Sequence, residues 1–206
     1  MAEISPIEKT IDAARPRLGW VLHAEGDPSQ RGQRQTGYRV LVASSRQLLD
    51  QDRADLWDSG KVDSGATIGV EYAGKPLASR TRCHWKVRVW DGEGAPSAWS
   101  RPAAWSMALL DTSDWQAQWI AAPQPAEQAD PPAPVPMFRK EFDVPGPIRR
   151  ATAYITALGC YEIWINGRRV GEEMLAPQWT DYNKRVLYQT VDVTDLVQEG
   201  PNAIGA

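Results

Sequence analysis

Cysteine is scarce in this 206-residue chain: there are two, Cys83 and Cys160, far apart in segments that read as strands. Neither belongs to a C-x-x-C pair and no histidine pair stands beside them, so zinc and thiol redox chemistry are not indicated and both read as buried thiols. Long apolar runs are missing as well. No stretch approaches the ~20 residues of a membrane-spanning helix, and the start, MAEISPIEKTIDAARP, has neither the basic nor the apolar region of a secretory signal. These absences predict a cytoplasmic protein with no membrane partner. Charge of one sign is also lacking. The formal net charge is -3 and the basic residues are scattered, with Arg149-Arg150 and Arg168-Arg169 no more than doublets, so no patch for nucleic acid is expected.

What is present is the composition of a globular protein, 42% hydrophobic and 24% charged, long enough for one or two domains with real cores. Ten tryptophans accompany only two phenylalanines. A buried indole needs a partner for its N–H, and an exposed one offers a flat face to cations and to the C–H side of a sugar. Most of the rings are expected in cores and a minority at a contact surface.

From Gly37 to Trp105 short strand-like runs alternate with turn signals: YRVLVA (38–43), LWDSGKV (56–62), IGVEY (68–72), a Gly-Lys-Pro turn, HWKVRVWD (84–91), a Gly-rich turn and SAWSRPAAWSM. In HWKVRVWD, Trp85, Val87 and Val89 alternate with Lys86, Arg88 and Trp90, the period of a half-buried strand. The pattern predicts an antiparallel β-sandwich over residues 16–107, after an amino-terminal tail at 1–15. The stretch AAPQPAEQADPPAPVP (121–136) holds six of the 16 prolines and reads as an insertion between two strands, DWQAQWIA (114–121) and MFRKEFDV (137–144).

A second β unit follows over 108–206. Its clearest signal is YEIWINGRRVG (161–171), where Asn166-Gly167 predicts a two-residue type I′ hairpin, because both central residues need positive φ. That turn pairs Ile165 with Arg168 and Trp164 with Arg169. It puts Tyr161, Ile163, Ile165 and Val170 on one face, and Glu162, Trp164 and Arg169 on the other. VLYQTVDVT (186–194) reads as a further strand, and Ala203-Ile204 begins another, so the unit reads as truncated. The fold class expected is all-β: two antiparallel β-sandwiches, the second an incomplete jelly roll.

The strand WKVRVWD followed by SAWS resembles the second half of a fibronectin type III domain. LWDSGKV, DWQAQWI, ALGCYEIWINGRRVG with LAPQWTDYNKRVLYQTVDVTDL, and GPNAIGA together resemble the amino-terminal region of bacterial α-L-rhamnosidases of glycoside hydrolase family 78. The resemblance implies a fibronectin-like domain followed by a jelly roll. It also implies that hydrolysis of terminal α-L-rhamnose belongs to a later (α/α)6 barrel, absent here, that carries the acid and base carboxylates of an inverting mechanism. No catalytic residue is therefore assigned, and no activity is expected of this chain alone.

Sugar binding is the function the resemblance permits, with rhamnose-containing glycosides as partners. In QWTDYNKR, Trp179 and Tyr182 supply rings and Asp181 and Asn183 supply polar groups, the mixture a sugar site requires. The same rings can equally pack the loop onto the sandwich. Calcium is implied by the resemblance only; it takes six to eight oxygens, which one short loop cannot furnish, and no metal-ligating residues are assigned. Two alternatives stand beside rhamnoside binding: β-domains that serve only to stabilise a catalytic barrel, and the sugar-binding domain of a β-galactosidase-like enzyme, which also uses a strand-Asn-Gly-strand hairpin.

Overall fold

The computed structural model describes residues 2–5, 9–23, 31–123 and 134–206, so most of the Pro-rich insertion lies outside the described residues. Nearly all the regular structure is β, as expected. The chain divides into two units, Met1–Ala117 and Gln118–Ala206.

The first unit contains β1 (Ala2–Glu3), β2 (Lys9–Ile11), β3 (Arg17–Gly19), β4 (Val21–Leu22), β5 (Gly37–Ala43), α1 (Arg46–Asp50), β6 (Trp57–Asp58), β7 (Val62–Asp63), β8 (Ile68–Glu71), β9 (Arg82–Trp90) and β10 (Ala103–Met107). One sheet runs β2-β10-β9-β5-β6, with β7 also on β5, while β3 pairs with β8 and β1 with β4. The ladders are antiparallel except that of β2 on β10, which is parallel. The segment read as a tail thus contributes β1 and β2, and Ala2 and Ile4 are buried.

Side-chain alternation builds the core. Tyr38, Val40 and Val42 of β5, with Trp85, Val87 and Val89 of β9, pack with Leu18, Trp20, Val70, Tyr72 and Trp105 in one cluster. The buried Trp20 indole finds a partner: its Nε1 donates to Gln35 Oε1 at 2.9 Å, and Gln35 Nε2 in turn donates to the Ser64 and Ala66 carbonyls.

The other face of β5 is covered as well, which the alternation did not predict. Leu41 and Ala43 pack under Leu49 of α1, a five-residue helix capped by the Ser45 hydroxyl. Lys86, only 6% exposed, lies on this side. Its ammonium donates to the Leu49 carbonyl at 2.6 Å and to the Asp52 carboxylate, and sits 5.0 Å from the Trp99 ring centre. The hydrogen bond from Lys86 holds the Asp52 carboxyl below its usual pKa.

DWQAQWIA forms no strand. Asp111 and Asp114 close a reciprocal capping box around a 3-10 turn at Thr112–Asp114, and the Ser79 hydroxyl also bonds Asp114. The chain beyond runs irregularly, with Trp119 and Ile120 exposed.

The second unit contains β11 (Arg139–Val144), β12 (Thr152–Thr156), β13 (Trp164–Ile165), β14 (Arg168–Arg169), β15 (Tyr188–Asp192) and β16 (Gly200–Gly205). One sheet runs β11-β16-β13-β14, and β12 pairs with β15. The hairpin has the predicted register, Trp164 opposite Arg169 and Ile165 opposite Arg168. Asn166 has φ 49° and Gly167 φ 78°, the left-handed pair a type I′ turn demands.

Asn166 does more than turn the chain. Its Nδ2 donates to the Leu196 carbonyl (3.0 Å) and to Asn202 Oδ1 (2.8 Å), while its Oδ1 accepts from Ala203 N (2.9 Å). The hairpin tip is thereby fastened to β16. A Cβ at Gly167 would meet nothing within 4 Å, so a substitution there meets backbone strain alone. Gly167→Val is expected to lower the stability of this unit by about 1–3 kcal/mol, read as an earlier melting transition, and an unchanged transition would contradict the turn type.

Candidate functional site

The segment carrying the candidate sugar-binding residues leaves the hairpin at Gly171 and returns at β15. Its backbone is unusual: Leu175 (φ 56°) and Gln178 (φ 86°) are left-handed, and the Ala176–Pro177 peptide is cis. Ala176 is bridged to Tyr161, which ties the base of the loop to the chain just before β13. A turn closes on Asp181, whose carbonyl accepts from both Lys184 N and Arg185 N at 2.9 Å, and the Thr180 hydroxyl donates to the Arg185 carbonyl at 2.5 Å.

Within this turn the four candidates lie close together and take different roles. Tyr182 is half-buried, and its hydroxyl accepts from Gly159 N at 2.8 Å, anchoring the loop to the chain after β12. Trp179 lies 5.7 Å from the Tyr182 ring centre with the planes 32° apart, and is 78% exposed. Tyr182 thus holds a ring that presents itself to solvent. Asp181 Oδ1 accepts from Asn183 N (3.2 Å), and its Oδ2 pairs with Lys184 Nζ at 3.1 Å. Asn183 is exposed. Of the hairpin residues, Asn166 is engaged in the latch to β16 and Gly167 completes the turn.

Calcium does not fit this arrangement. The turn offers a single carboxylate, Asp181, paired with Lys184 and a backbone N–H, against the six to eight oxygens calcium takes. Among the described residues no group of three or more His, Cys, Asp or Glu is placed to hold a metal ion.

Beside the loop is a second feature that strand patterns did not reveal, a cleft of about 580 Å³ between β12–β15 and the hairpin. The Tyr161 hydroxyl donates to Gln189 Oε1 at 2.5 Å, Gln189 Nε2 donates to the Glu173 carboxylate, and Arg169 reaches Glu162 Oε1 (3.3 Å) and the Glu173 carbonyl (3.1 Å). Burial, reinforced by the Glu173 charge, pushes the Tyr161 phenol up to about 12.

Residues 6–111 match the family described as the Rha78A-like, N-terminal immunoglobulin domain, and residues 146–206 match the α-L-rhamnosidase N-terminal domain. The chain belongs to the α-L-rhamnosidase family. It corresponds to the amino-terminal region of these proteins, and the β-galactosidase-like alternative is set aside.

An α-L-rhamnosidase from Formosa agariphila is 35% identical over 99% of this chain and 23% of its own length. The solved α-L-rhamnosidase from Dictyoglumus thermophilum superposes with a TM-score of 0.87 at 34% identity, over 100% of this chain and 24% of that one. The Streptomyces avermitilis α-L-rhamnosidase, solved in complex with L-rhamnose, is 34% identical with a TM-score of 0.53, over 99% of this chain and 21% of that one. This rhamnosidase region therefore spans between a fifth and a quarter of the relatives it matches. No helix among its described residues is long and apolar enough to cross a membrane.

Proposed function

We propose that this region is a non-catalytic part of an α-L-rhamnosidase and that it binds or positions L-rhamnosides through the turn at 179–183. The observation that carries the reading is the geometry of Trp179: an indole 78% exposed, backed by the anchored Tyr182 ring, with Asp181 and Asn183 at the next positions. A ring held from behind and open in front suits the C–H face of a pyranose, and the neighbouring carboxylate and amide suit its hydroxyls. The L-rhamnose complex of the Streptomyces relative supports a rhamnoside as the ligand class.

The carboxylates support a role without hydrolysis. An inverting glycosidase needs one carboxylic acid of raised pKa facing a carboxylate across the sugar. The carboxyls whose shift is resolved, Asp52, Asp55, Asp58, Asp111 and Asp114, all move down, through hydrogen bonds with lysine, serine, arginine and backbone groups. Asp192 caps Thr194 N at 3.0 Å. Such hydrogen bonds organise turns.

Calorimetric titration with L-rhamnose tests the reading. Saturable binding is expected, weakened roughly tenfold in Trp179→Ala, the equivalent of about 1.4 kcal/mol of ring contact. Heats indistinguishable from dilution would overturn it and favour the alternative of β-domains that only stabilise a catalytic barrel.

A further inference from the structure

The cleft beside the 179–183 turn combines the two kinds of surface a saccharide needs. Ile155, Ile163 and Val191 line it with apolar side chains, and the bonded chain of Tyr161, Gln189 and Glu173 lines it with polar ones. Its volume of about 580 Å³ falls within the roughly 300–1,000 Å³ of small-molecule sites.

Two connections place the cleft next to the Trp179–Tyr182 ring pair. The Tyr182 hydroxyl accepts from Gly159 N at 2.8 Å, and Tyr161 follows Gly159 by two residues, at most about 7 Å of extended chain. From the other side, the Ala176 carbonyl accepts from Tyr161 N at 2.9 Å; Ala176 lines the cleft and precedes Trp179 by three residues. A ligand of two sugar residues can therefore span both.

Charge decides which sugar the cleft favours. Arg169 pairs with Glu162 at 3.3 Å and Arg150 with Asp192 at 3.8 Å, whereas among the described residues no cation pairs with Glu172 or Glu173, which also line the cleft. Two such carboxylates accept hydrogen bonds from the hydroxyls of a neutral sugar and repel the carboxylate of a uronate.

We propose that the cleft is a second subsite, resting on the reading of the 179–183 turn as the rhamnose platform: with the terminal L-rhamnose on Trp179, it takes the sugar to which rhamnose is attached, and it takes a neutral sugar in preference to a uronate. The exposed Trp179 ring contributes affinity for rhamnose, and the cleft selects the residue that carries it.

Titration calorimetry of the 206-residue protein with three ligands tests this. Methyl α-L-rhamnoside reaches only the platform; α-L-rhamnosyl-(1→4)-D-glucose and α-L-rhamnosyl-(1→4)-D-glucuronate reach the cleft as well and differ from each other by one carboxylate. The glucose disaccharide should bind about tenfold more tightly than methyl α-L-rhamnoside, and the glucuronate no more tightly than it, with the gap between the disaccharides closing as salt is raised. Glu173→Gln, at an exposed position, should narrow that gap by about threefold, while unchanged binding of methyl α-L-rhamnoside reports an intact fold. If that variant no longer binds methyl α-L-rhamnoside, the salt dependence of the wild-type gap decides.

The subsite is overturned, and the platform left standing, if methyl α-L-rhamnoside binds and the glucose disaccharide gains nothing over it, if the two disaccharides bind alike, or if the gap is indifferent to salt and to Glu173→Gln. Absence of binding by all three ligands overturns platform and subsite together. Disaccharide binding that Trp179→Ala leaves unchanged contradicts a ligand shared between ring and cleft.

Discussion

Asn202→Ala is expected to melt the second unit while the first remains folded, with a loss of about 2–4 kcal/mol. Asn202 is 4% exposed and its amide is fully engaged: Nδ2 donates to the Gln198 and Gly200 carbonyls at 2.8 Å, and Oδ1 accepts from Gln198 N (2.9 Å) and from Asn166 Nδ2 (2.8 Å). Alanine removes every one of these partners at once and leaves peptide groups and the Asn166 amide short of a bond in a site water reaches poorly. The damage extends to the hairpin, because Asn166 fastens β13–β14 to β16 through the same amide. Scanning calorimetry should show an early transition split from the main one. Asn202→Asp keeps the acceptor and loses both donors, so it should fall between wild type and alanine; an alanine variant melting like wild type would show that the latch contributes nothing.

Gly74→Ala should be the most damaging single-methyl change in the first unit, costing about 3 kcal/mol or more. The need for glycine here is one of space. A Cβ would stand 2.5 Å from the Leu56 carbonyl oxygen, 2.5 Å from Trp57 Cβ and 2.6 Å from the Tyr72 hydroxyl. The first is backbone, and the last is held by its own bond to the Lys75 carbonyl at 2.8 Å, so nothing flexible is available to yield. Lys75 N also donates to that same Leu56 oxygen at 3.0 Å, and the shift alanine requires would break this bond. The signature is a drop in the denaturation midpoint of the first unit with the second unaffected. An alanine variant of wild-type midpoint would mean that the Gly-Lys-Pro turn is looser than the structure shows.

The features legible in the sequence are those with a local cause. Asn166-Gly167 announces its turn because only particular residues accept φ of 49° and 78° in succession, and the turn alone then sets the register of β13 on β14. The inward row of β9 follows from strict alternation, and the family follows from motifs spread along the chain. Non-local causes escaped the sequence. Helix α1 is too short to show a period, and its purpose, covering Leu41 and Ala43, depends on β5 lying beneath it. DWQAQWIA has the look of a strand, but the capping box at Asp111 and Asp114 commits its first residues to a turn. At the site, the rings and polar groups of 179–183 could be named in advance, yet their division into an anchored Tyr182 and an exposed Trp179 depends on a bond to Gly159, 23 residues away.

A proton NMR experiment on an α-L-rhamnoside mixed with the protein addresses the central claim directly, because saturation transfer reports binding and the anomeric signals report hydrolysis in the same sample. The account predicts transfer to the rhamnosyl protons, lost in Trp179→Ala, with no free L-rhamnose accumulating over the buffer rate. Release of rhamnose by the 206-residue protein, or a transfer spectrum that Trp179→Ala leaves unchanged, would contradict it.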